Sequence, residues 1–537
     1  MFPSHYPDVE IPHLTVFDYL FGSLEPEDLG RVALIDPVTG AETTYGKLRD
    51  DIEALAGALA ARGVGPGSVV GLLSPNIPAF ATVFHGALRA GATVTTLNAL
   101  YTAGEIEKQL VDAKATWLFT TSPLLPQASA GAEAAGIGAD RLVVIDGAEG
   151  HANLGDLLGA GEVAPVLDIN PAESIAVLPY SSGTTGVPKG VMLTHRNLVA
   201  NVAQSRAVMD LTRDDRVLAV LPFFHIYGMT VLLNIALHTR ASLVTMARFD
   251  LVQFLENIQR YACTYVFVAP PIMVALSKHP VVDQYDVSSV RTLLSGAAPL
   301  DGATAERAAA RLGTQVLQGF GMSELSPVSH MIPAGRDDIP RSSIGLSLPN
   351  ITCRLVDLET GEEITEYGEE GLTRPGELWL RGPNVMLGYL GRPDATAETF
   401  TDDGFLRTGD IAVRSEAGWY AIVDRAKELI KYKGYQIAPA ELEALLLTHP
   451  EIADAAVIGV LIEDGEEVPK AFAVRAAASE LSAEDLMAFV AERVAPYKKV
   501  RQVEFTDVIP KSSAGKILRK DLRELERARA LAAAPPR

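Results

Sequence analysis

The sequence predicts an α/β protein: a large N-terminal domain of doubly wound αβα sheets with a β-rich subdomain, followed by a small α+β C-terminal domain. Three observations predict it. Short, continuous apolar runs alternate with amphipathic segments from Arg31 to Gln318, the pattern of parallel strands covered on both faces by helices. After Pro340 the helical periodicity thins, and short strands separated by turns take over. At 537 residues the chain exceeds what one hydrophobic core ordinarily serves.

The elements follow in order. Val32 to Ile35 reads as a strand ended by Asp36-Pro37, and Thr44 caps a helix whose Leu48, Ile52, Leu55 and Leu59 share one face before Gly63 closes it. The turn Val64 to Gly67 leads to a strand Val69 to Leu73, a helix to Ala90 and a strand around Val94. A helix capped by Thr102 and a strand Trp117 to Phe119 repeat the unit. The run Ile175 to Leu178 and strands at Thr264 to Ala269, Val290 to Ser295 and Gln315 to Gln318 continue it, and ligands are expected at the carboxyl ends of such strands. Strands at Ile351 to Val356, Glu377 to Arg381 and Trp419 to Val423 make the β-rich subdomain, at about 340–426. A helix from near Pro439, strands at Ala455 to Val460 and Ala471 to Val474, and a helix capped by Ser482 make the last unit. The expected domains are therefore 1–426 and 427–537.

Composition excludes several functions. The 67 acidic against 46 basic residues leave a net charge of -21, whose field repels nucleic acid and anionic membranes. Only Cys263 and Cys353 are present, too few for a disulfide framework or a cysteine metal site, which suits a reducing cytoplasm. Neither a secretory signal nor a peroxisomal tripeptide is expected from the two ends. Val217 to Leu237 carries no charge over a span-length stretch, but Pro222, His225, Gly228 and Asn234 interrupt it, so a buried strand, turn and helix are expected.

Glycine, hydroxyl and lysine residues then mark a candidate site. Tyr180 to Asn197 has the composition of a phosphate cradle: Gly183, Gly186 and Gly190 allow close backbone approach, Ser181, Ser182, Thr184 and Thr185 can donate to oxyanions, and Lys189 adds a mobile cation. Its spacing is not that of a Walker loop, and a flexible Ser/Gly linker is the alternative. Gln318 to Glu324, Gln-Gly-Phe-Gly-Met-Ser-Glu, offers an aromatic for a base and a hydroxyl and carboxylate for phosphate and Mg²⁺, or else is a glycine turn with a solvated Glu. Ser295 to Leu300 either borders a ligand or is a tight turn. Asp410 is placed like a ribose ligand or is a turn residue. Arg425, Lys427, Lys431 and Lys433 form a basic cluster in an acidic chain, for anion handling or a solvated edge. Lys516 ends the exposed loop that starts at Pro510.

In this order the motifs resemble the adenylate-forming superfamily of acyl-CoA synthetases, firefly-type luciferases and peptide-synthetase adenylation domains, from about Arg31 to Arg519. The subfamily most similar is 4-coumarate:CoA ligase, by Gly376-Glu-Leu-Trp-Leu-Arg-Gly382, Pro222-Phe-Phe-His-Ile-Tyr227 and Ile430 to Pro439. Phe320 stands where the family usually has Tyr, and Ser323 where it usually has Thr. The resemblance implies an ATP-dependent acid:CoA ligase that activates a cinnamate-type aryl carboxylate as acyl-AMP and passes the acyl group to coenzyme A; the alternatives are an adenylate-forming enzyme for another aryl or fatty acid, or a luciferase-type or carrier-loading adenylation enzyme. It implies Lys516 as the cation of the first half-reaction, Lys431 and Gln436 on acyl-phosphate oxygens, and His225 beside the acyl carboxylate. ATP or AMP would meet Ser181, Ser182, Gly183, Thr184, Thr185, Gly186 and Lys189, then Gln318, Gly319, Phe320, Gly321, Met322 and Ser323, with Asp410 on the ribose and Ile422, Arg425 and Lys427 nearby. Thr184 and Glu324 would neighbour Mg²⁺. Tyr227, Ala297, Gly321, Pro327 and Val328 would line the acyl pocket, and Arg248, Lys433 and Gly434 would meet coenzyme A. The C-terminal domain is expected to be mobile, rotating about a hinge near Asp424 to Lys427. No partner beyond these small molecules is expected, and a monomer and a homodimer are equally open.

Overall fold

The computed structural model describes residues 1–181, 188–432, 435–462, 467–477, 479–494, 496–512 and 515–533. A large α/β domain carries a smaller, separate C-terminal domain behind it. A nine-stranded sheet runs in the order Leu346–Ser347, Val328–Met331, Gln315–Gly321, Thr292–Ser295, Tyr265–Val268, Arg216–Ala219, Ser242–Thr245, Val32–Ile35, Glu42–Thr44. Its strands from Gln315–Gly321 through Val32–Ile35 are parallel, and the outer pairs are antiparallel. An eight-stranded sheet has Ile175–Val177, Thr93–Leu97, Val69–Leu73, Trp117–Thr120 and Leu142–Val144 parallel, with Lys189–Thr194, Gly388–Tyr389 and Tyr180–Ser181 antiparallel at one side. These central strands are apolar in nearly every position because helices bury both faces.

Local chemistry sets the helix starts. Thr44 Oγ1 accepts from the Lys47 N–H at 3.2 Å and opens Tyr45–Ala61, which packs on Pro78–Arg89. Thr102 and Glu105 form a reciprocal cap on Ala103–Asp112. The charge-free stretch resolves into the strand Arg216–Ala219, the π-helix Tyr227–Asn234 and the helix Ile235–Thr239, and among the described residues no helix is long and apolar enough to cross a membrane.

A third, antiparallel sheet runs Phe2–Pro3, Thr352–Val356, Gly376–Arg381, Leu406–Arg414, Tyr420–Arg425. Two short strands from the same region, Leu346–Ser347 and Gly388–Tyr389, join the large sheets instead and tie the β-rich part to them. The main core runs from Val16 to Tyr420, and a second begins at Ile430 with Ile437, Leu442 and Leu446. That second core underlies Ile452–Leu461, Glu467–Arg475 and Gln502–Phe505, flanked by Pro439–Leu447, Ala483–Ala491 and Arg519–Ala533.

Candidate active site

Four neighbouring parallel strands, Arg216–Ala219, Tyr265–Val268, Thr292–Ser295 and Gln315–Gly321, end at one edge of the nine-stranded sheet, so the segments after them converge there. The first segment carries His225. It is held from the other sheet: Asn76 Nδ2 donates to Ala219 O and Leu221 O at 2.9 and 2.8 Å, its Oδ1 accepts from the Phe223 N–H at 2.7 Å, and Thr96 Oγ1 donates to Phe224 O at 2.6 Å. Asn76 is buried, so removing it would strand those groups unpaired. Gly228 is required where the π-helix starts, because a Cβ there would lie 2.0 Å from Pro222 O.

The hydrogen bonding fixes the protonation of His225. Its Nδ1 accepts from the Tyr227 N–H at 3.3 Å, so the ring proton sits on Nε2. Burial lowers its pKa to about 4, so the ring is a neutral donor at neutral pH, although part of it still reaches solvent at the cleft. Tyr227 is buried, its hydroxyl donates to Leu294 O at 3.2 Å, and its ring lies against Gly296, one residue before Ala297. Burial raises the Tyr227 pKa, keeping it a phenol. Ala297 has φ +72°. Gly321 pairs with Val328 across a hairpin that brings Pro327 beside them, and Asn201 clamps Val328 through both its N–H and its carbonyl. The candidate acyl residues therefore form two walls, Tyr227 with Ala297 and Gly321 with Pro327 and Val328.

The candidate phosphate-binding residues sit where the large sheets meet. Ser181 and Lys189 pair directly across an antiparallel hairpin; Ser182, Gly183, Thr184, Thr185 and Gly186 lie outside the described residues. Glu324 is buried, and its Oε1 accepts from Tyr389 Oη at 2.8 Å and Ser181 Oγ at 3.3 Å. Lys189 Nζ stands 4.9 Å from the centre of the Tyr389 ring. The side chain of Gln318 also has a structural part. Its buried side chain accepts from the Leu300 N–H at 2.8 Å and donates to Arg341 O and Ser343 O at 3.1 and 2.9 Å, so it braces the loops. Phe320 packs edge-on to His330 at 6.1 Å, and Gly319, Met322 and Ser323 follow along the same turn.

The third wall spans the two domains. Asp410 is buried on Leu406–Arg414 opposite Arg425 on Tyr420–Arg425, and Arg425 Nε donates to its Oδ1 at 3.0 Å. Burial pushes the Asp410 carboxyl up, opposed by Arg425 and Lys516. Ile422 is half-buried on the same strand, and Lys427 is exposed in the turn that follows. Lys516 comes from the C-terminal domain on a tight loop, where Lys511 bridges Ile517. Gly515 has φ +79°, and a Cβ on it would meet Pro271 Cγ at 2.9 Å, so only glycine lets this loop seat on the large domain. The surrounding protein and then Arg425 lower the Lys516 pKa to about 8, against Asp410 and Glu428. The side chain keeps solvent access, so crowding rather than full enclosure causes the shift. Asp424 Oδ2 accepts from the Ala440 N–H at 2.9 Å across the domain boundary, while Arg523 pairs with Glu428 within the C-terminal domain.

Lys431 and Gln436 are backbone partners on Ile430–Tyr432 and Tyr435–Ile437, Lys433 and Gly434 lie outside the described residues, and Arg248 is exposed after Ser242–Thr245. No local spacing in the sequence marks Asn76 or Tyr389.

The AMP-binding enzyme family matches residues 26–390, and the AMP-binding enzyme C-terminal domain matches residues 441–516. The chain belongs to the AMP-binding enzyme family. This AMP-binding enzyme is 42% identical over 535 residues to a 4-coumarate–CoA ligase of Pinus taeda, covering 97% of each chain. It is 40% identical over 533 residues to 4-coumarate–CoA ligase 3 of Oryza sativa subsp. japonica, covering 97% of this chain and 94% of that one. The crystal structure of the anthranilate CoA ligase AuaEII in complex with anthranoyl-AMP superposes with a TM-score of 0.87 at 26% identity, over 96% of this chain and 98% of that one. The enzyme is an ATP-dependent, adenylate-forming acyl-CoA ligase, and such ligases use ATP and coenzyme A.

Proposed function

We propose that this ligase activates a cinnamate-type aryl carboxylate, 4-coumarate, cinnamate or caffeate, and transfers it to coenzyme A in the cytoplasm. The observation that carries this reading is the seating of Gly515 against Pro271, just past the end of the strand Tyr265–Val268, with Lys516 within electrostatic reach of Asp410 and Arg425. In the first half-reaction a carboxylate oxygen attacks the α-phosphorus of ATP and the bond to pyrophosphate breaks. Two anions must approach, so positioned charge is the main requirement. Lys516 offsets the negative charge at the acyl and α-phosphate oxygens, joined by Lys431 and Gln436. His225 donates from Nε2 to the carboxylate, holding one oxygen while the other attacks. Asp410 accepts from the ribose hydroxyls while Arg425 holds it, with Ile422 and Lys427 as further nucleotide contacts.

The residues present fit Mg²⁺. Among the described residues no group of three or more His, Cys, Asp or Glu forms a protein cage, and Mg²⁺ in such sites is usually held by one or two carboxylates with substrate phosphates. Glu324, with Thr184, would hold it, and bound Mg²⁺ would neutralise phosphate oxygens. Ser181, Lys189 and the glycines beside them grip the departing pyrophosphate.

In the second half-reaction the C-terminal domain, here taken as residues 427–537, turns about Asp424 to Lys427. Lys516 leaves, and Lys433 and Gly434 with Arg248 guide coenzyme A. Its sulfur attacks the acyl carbon, AMP departs, and the thiol proton is released. Small Ala297 and Gly321 facing Tyr227 leave a slot for a flat ring, and the naming of relatives as 4-coumarate–CoA ligases supports the same acids. The test is AMP release with ATP, coenzyme A and a panel of acids. Turnover with hydroxycinnamates above aliphatic and benzoic acids is expected; turnover with other acids and none with any cinnamate refutes the substrate assignment.

A further inference from the structure

Lys189 and Glu324 carry opposite charges at the phosphate end, yet no ion pair joins them. Tyr389 stands between the two. Its ring face receives Lys189 Nζ at 4.9 Å, and its hydroxyl donates to Glu324 Oε1 at 2.8 Å. The side chain is 9% exposed, and burial and then the Glu324 charge raise its pKa, so it remains a phenol and a donor. Its backbone is set by two elements. Tyr389 pairs with Val191 on the strand that begins at Lys189, and its N–H donates to Thr396 Oγ1 at 2.9 Å. The ring therefore moves with the strand that carries Lys189 and is fixed to the turn that carries Glu324.

We propose that Tyr389 is a positioning residue for the first half-reaction, a neutral spacer that keeps Lys189 and Glu324 in register but apart. The inference rests on the proposed adenylation function. A direct Lys–Glu contact would satisfy each charge with the other and leave less of either for the substrate. A cation on a ring face and a hydroxyl on one carboxylate oxygen hold both side chains without cancelling them. Glu324 Oε2 stays outside these bonds for a divalent cation, and Lys189 stays positive for the phosphate oxygens.

Tyr389→Phe and Tyr389→Leu in the full chain test this. The readouts are Mn²⁺-ATP binding by calorimetry, acid-dependent pyrophosphate exchange against Mg²⁺ concentration, thioester formation from supplied acyl-AMP, and melting temperature. Tyr389→Phe keeps the ring and loses the bond to a charged group, so Mn²⁺-ATP affinity and the Mg²⁺ needed for half-maximal exchange worsen by about tenfold. Exchange at saturating Mg²⁺ stays within about twofold, because only positioning is lost. Tyr389→Leu also frees Lys189 and weakens Mn²⁺-ATP binding by a further factor of about three. Thioester formation is unchanged in both variants. Folded variants with unaltered metal dependence and ATP binding overturn the proposal, as does an equal fall in both half-reactions with a lowered melting temperature in Tyr389→Phe. A wild-type protein that binds Mn²⁺-ATP but exchanges no pyrophosphate with any acid overturns the adenylation function, while the binding comparison still decides the spacer role.

Discussion

On the proposed function, the phosphate end and the nucleotide and acyl end of the site handle the same kind of charge with opposite constructions. At the phosphate end, Ser181, Lys189, Glu324 and Tyr389 all belong to the large domain, joined through paired strands and a buried phenol. At the nucleotide and acyl end, Asp410 and Arg425 form a direct ion pair within the large domain, and the further cation, Lys516, arrives from the C-terminal domain on the Gly515 loop. The described residues of the first all come from one domain, so no domain movement is needed to bring them together. On the proposed function the second is complete only while Lys516 is in place, and turning of the C-terminal domain would withdraw that cation for the next step. A two-step ligase needs this division, since the site that neutralises charge in one step must clear for coenzyme A in the other.

The comparison breaks most sharply at Lys516. Lys516→Ala should lower adenylation by about 10²–10³-fold, the scale for a group that stabilises developing charge. Thioester formation from supplied acyl-AMP should be spared. Equal loss of both half-reactions would mean that Lys516 is not withdrawn between the two steps.

The next effect is on pH dependence. The Lys516 pKa is lowered to about 8, so the ammonium is present below that value and lost above it. Adenylation kcat/KM, which reports the free enzyme, should fall about tenfold per unit above this pH. His225, at about 4, stays neutral across this range and adds no limb. Lys516→Arg keeps its charge and should flatten the alkaline limb. A wild-type profile level up to about pH 9.5 would show that the free enzyme does not rely on this ammonium.

What could be read in the sequence divides along the same line. The strands Val32–Ile35, Val69–Leu73 and Tyr265–Val268 were legible because each is a buried apolar run with a turn at its end. The pairing of Phe2–Pro3 with Thr352–Cys353 was not, since two-residue strands so far apart leave no local period. Nor was the π-helix at Tyr227–Asn234, whose apolar residues fit an α-helix equally well. In the site, glycines and lysines announce themselves because few residues can take their places in a phosphate loop. Asn76 and Tyr389 look like an ordinary turn residue and an ordinary strand residue until the fold sets Asn76 under the His225 loop and Tyr389 against Glu324, 65 positions away in sequence. Gln318 shows the converse: a motif residue whose side chain the structure uses for bracing.

The smallest effect should come from Lys189, and it sharpens the comparison because this cation belongs to the single-domain end. Its ammonium is held over a ring and partly open to solvent, where one lysine among several donors contributes modestly. Lys189→Ala should raise the KM for MgATP in the first half-reaction by about three- to tenfold, as expected for one charge-assisted contact. Initial-rate kinetics of pyrophosphate exchange measure this directly. Thioester formation from supplied acyl-AMP should not change, because pyrophosphate has already left. If Lys189→Ala instead slows both halves, the hairpin it begins must support the domain-closed state as well, and the two ends would be mechanically coupled.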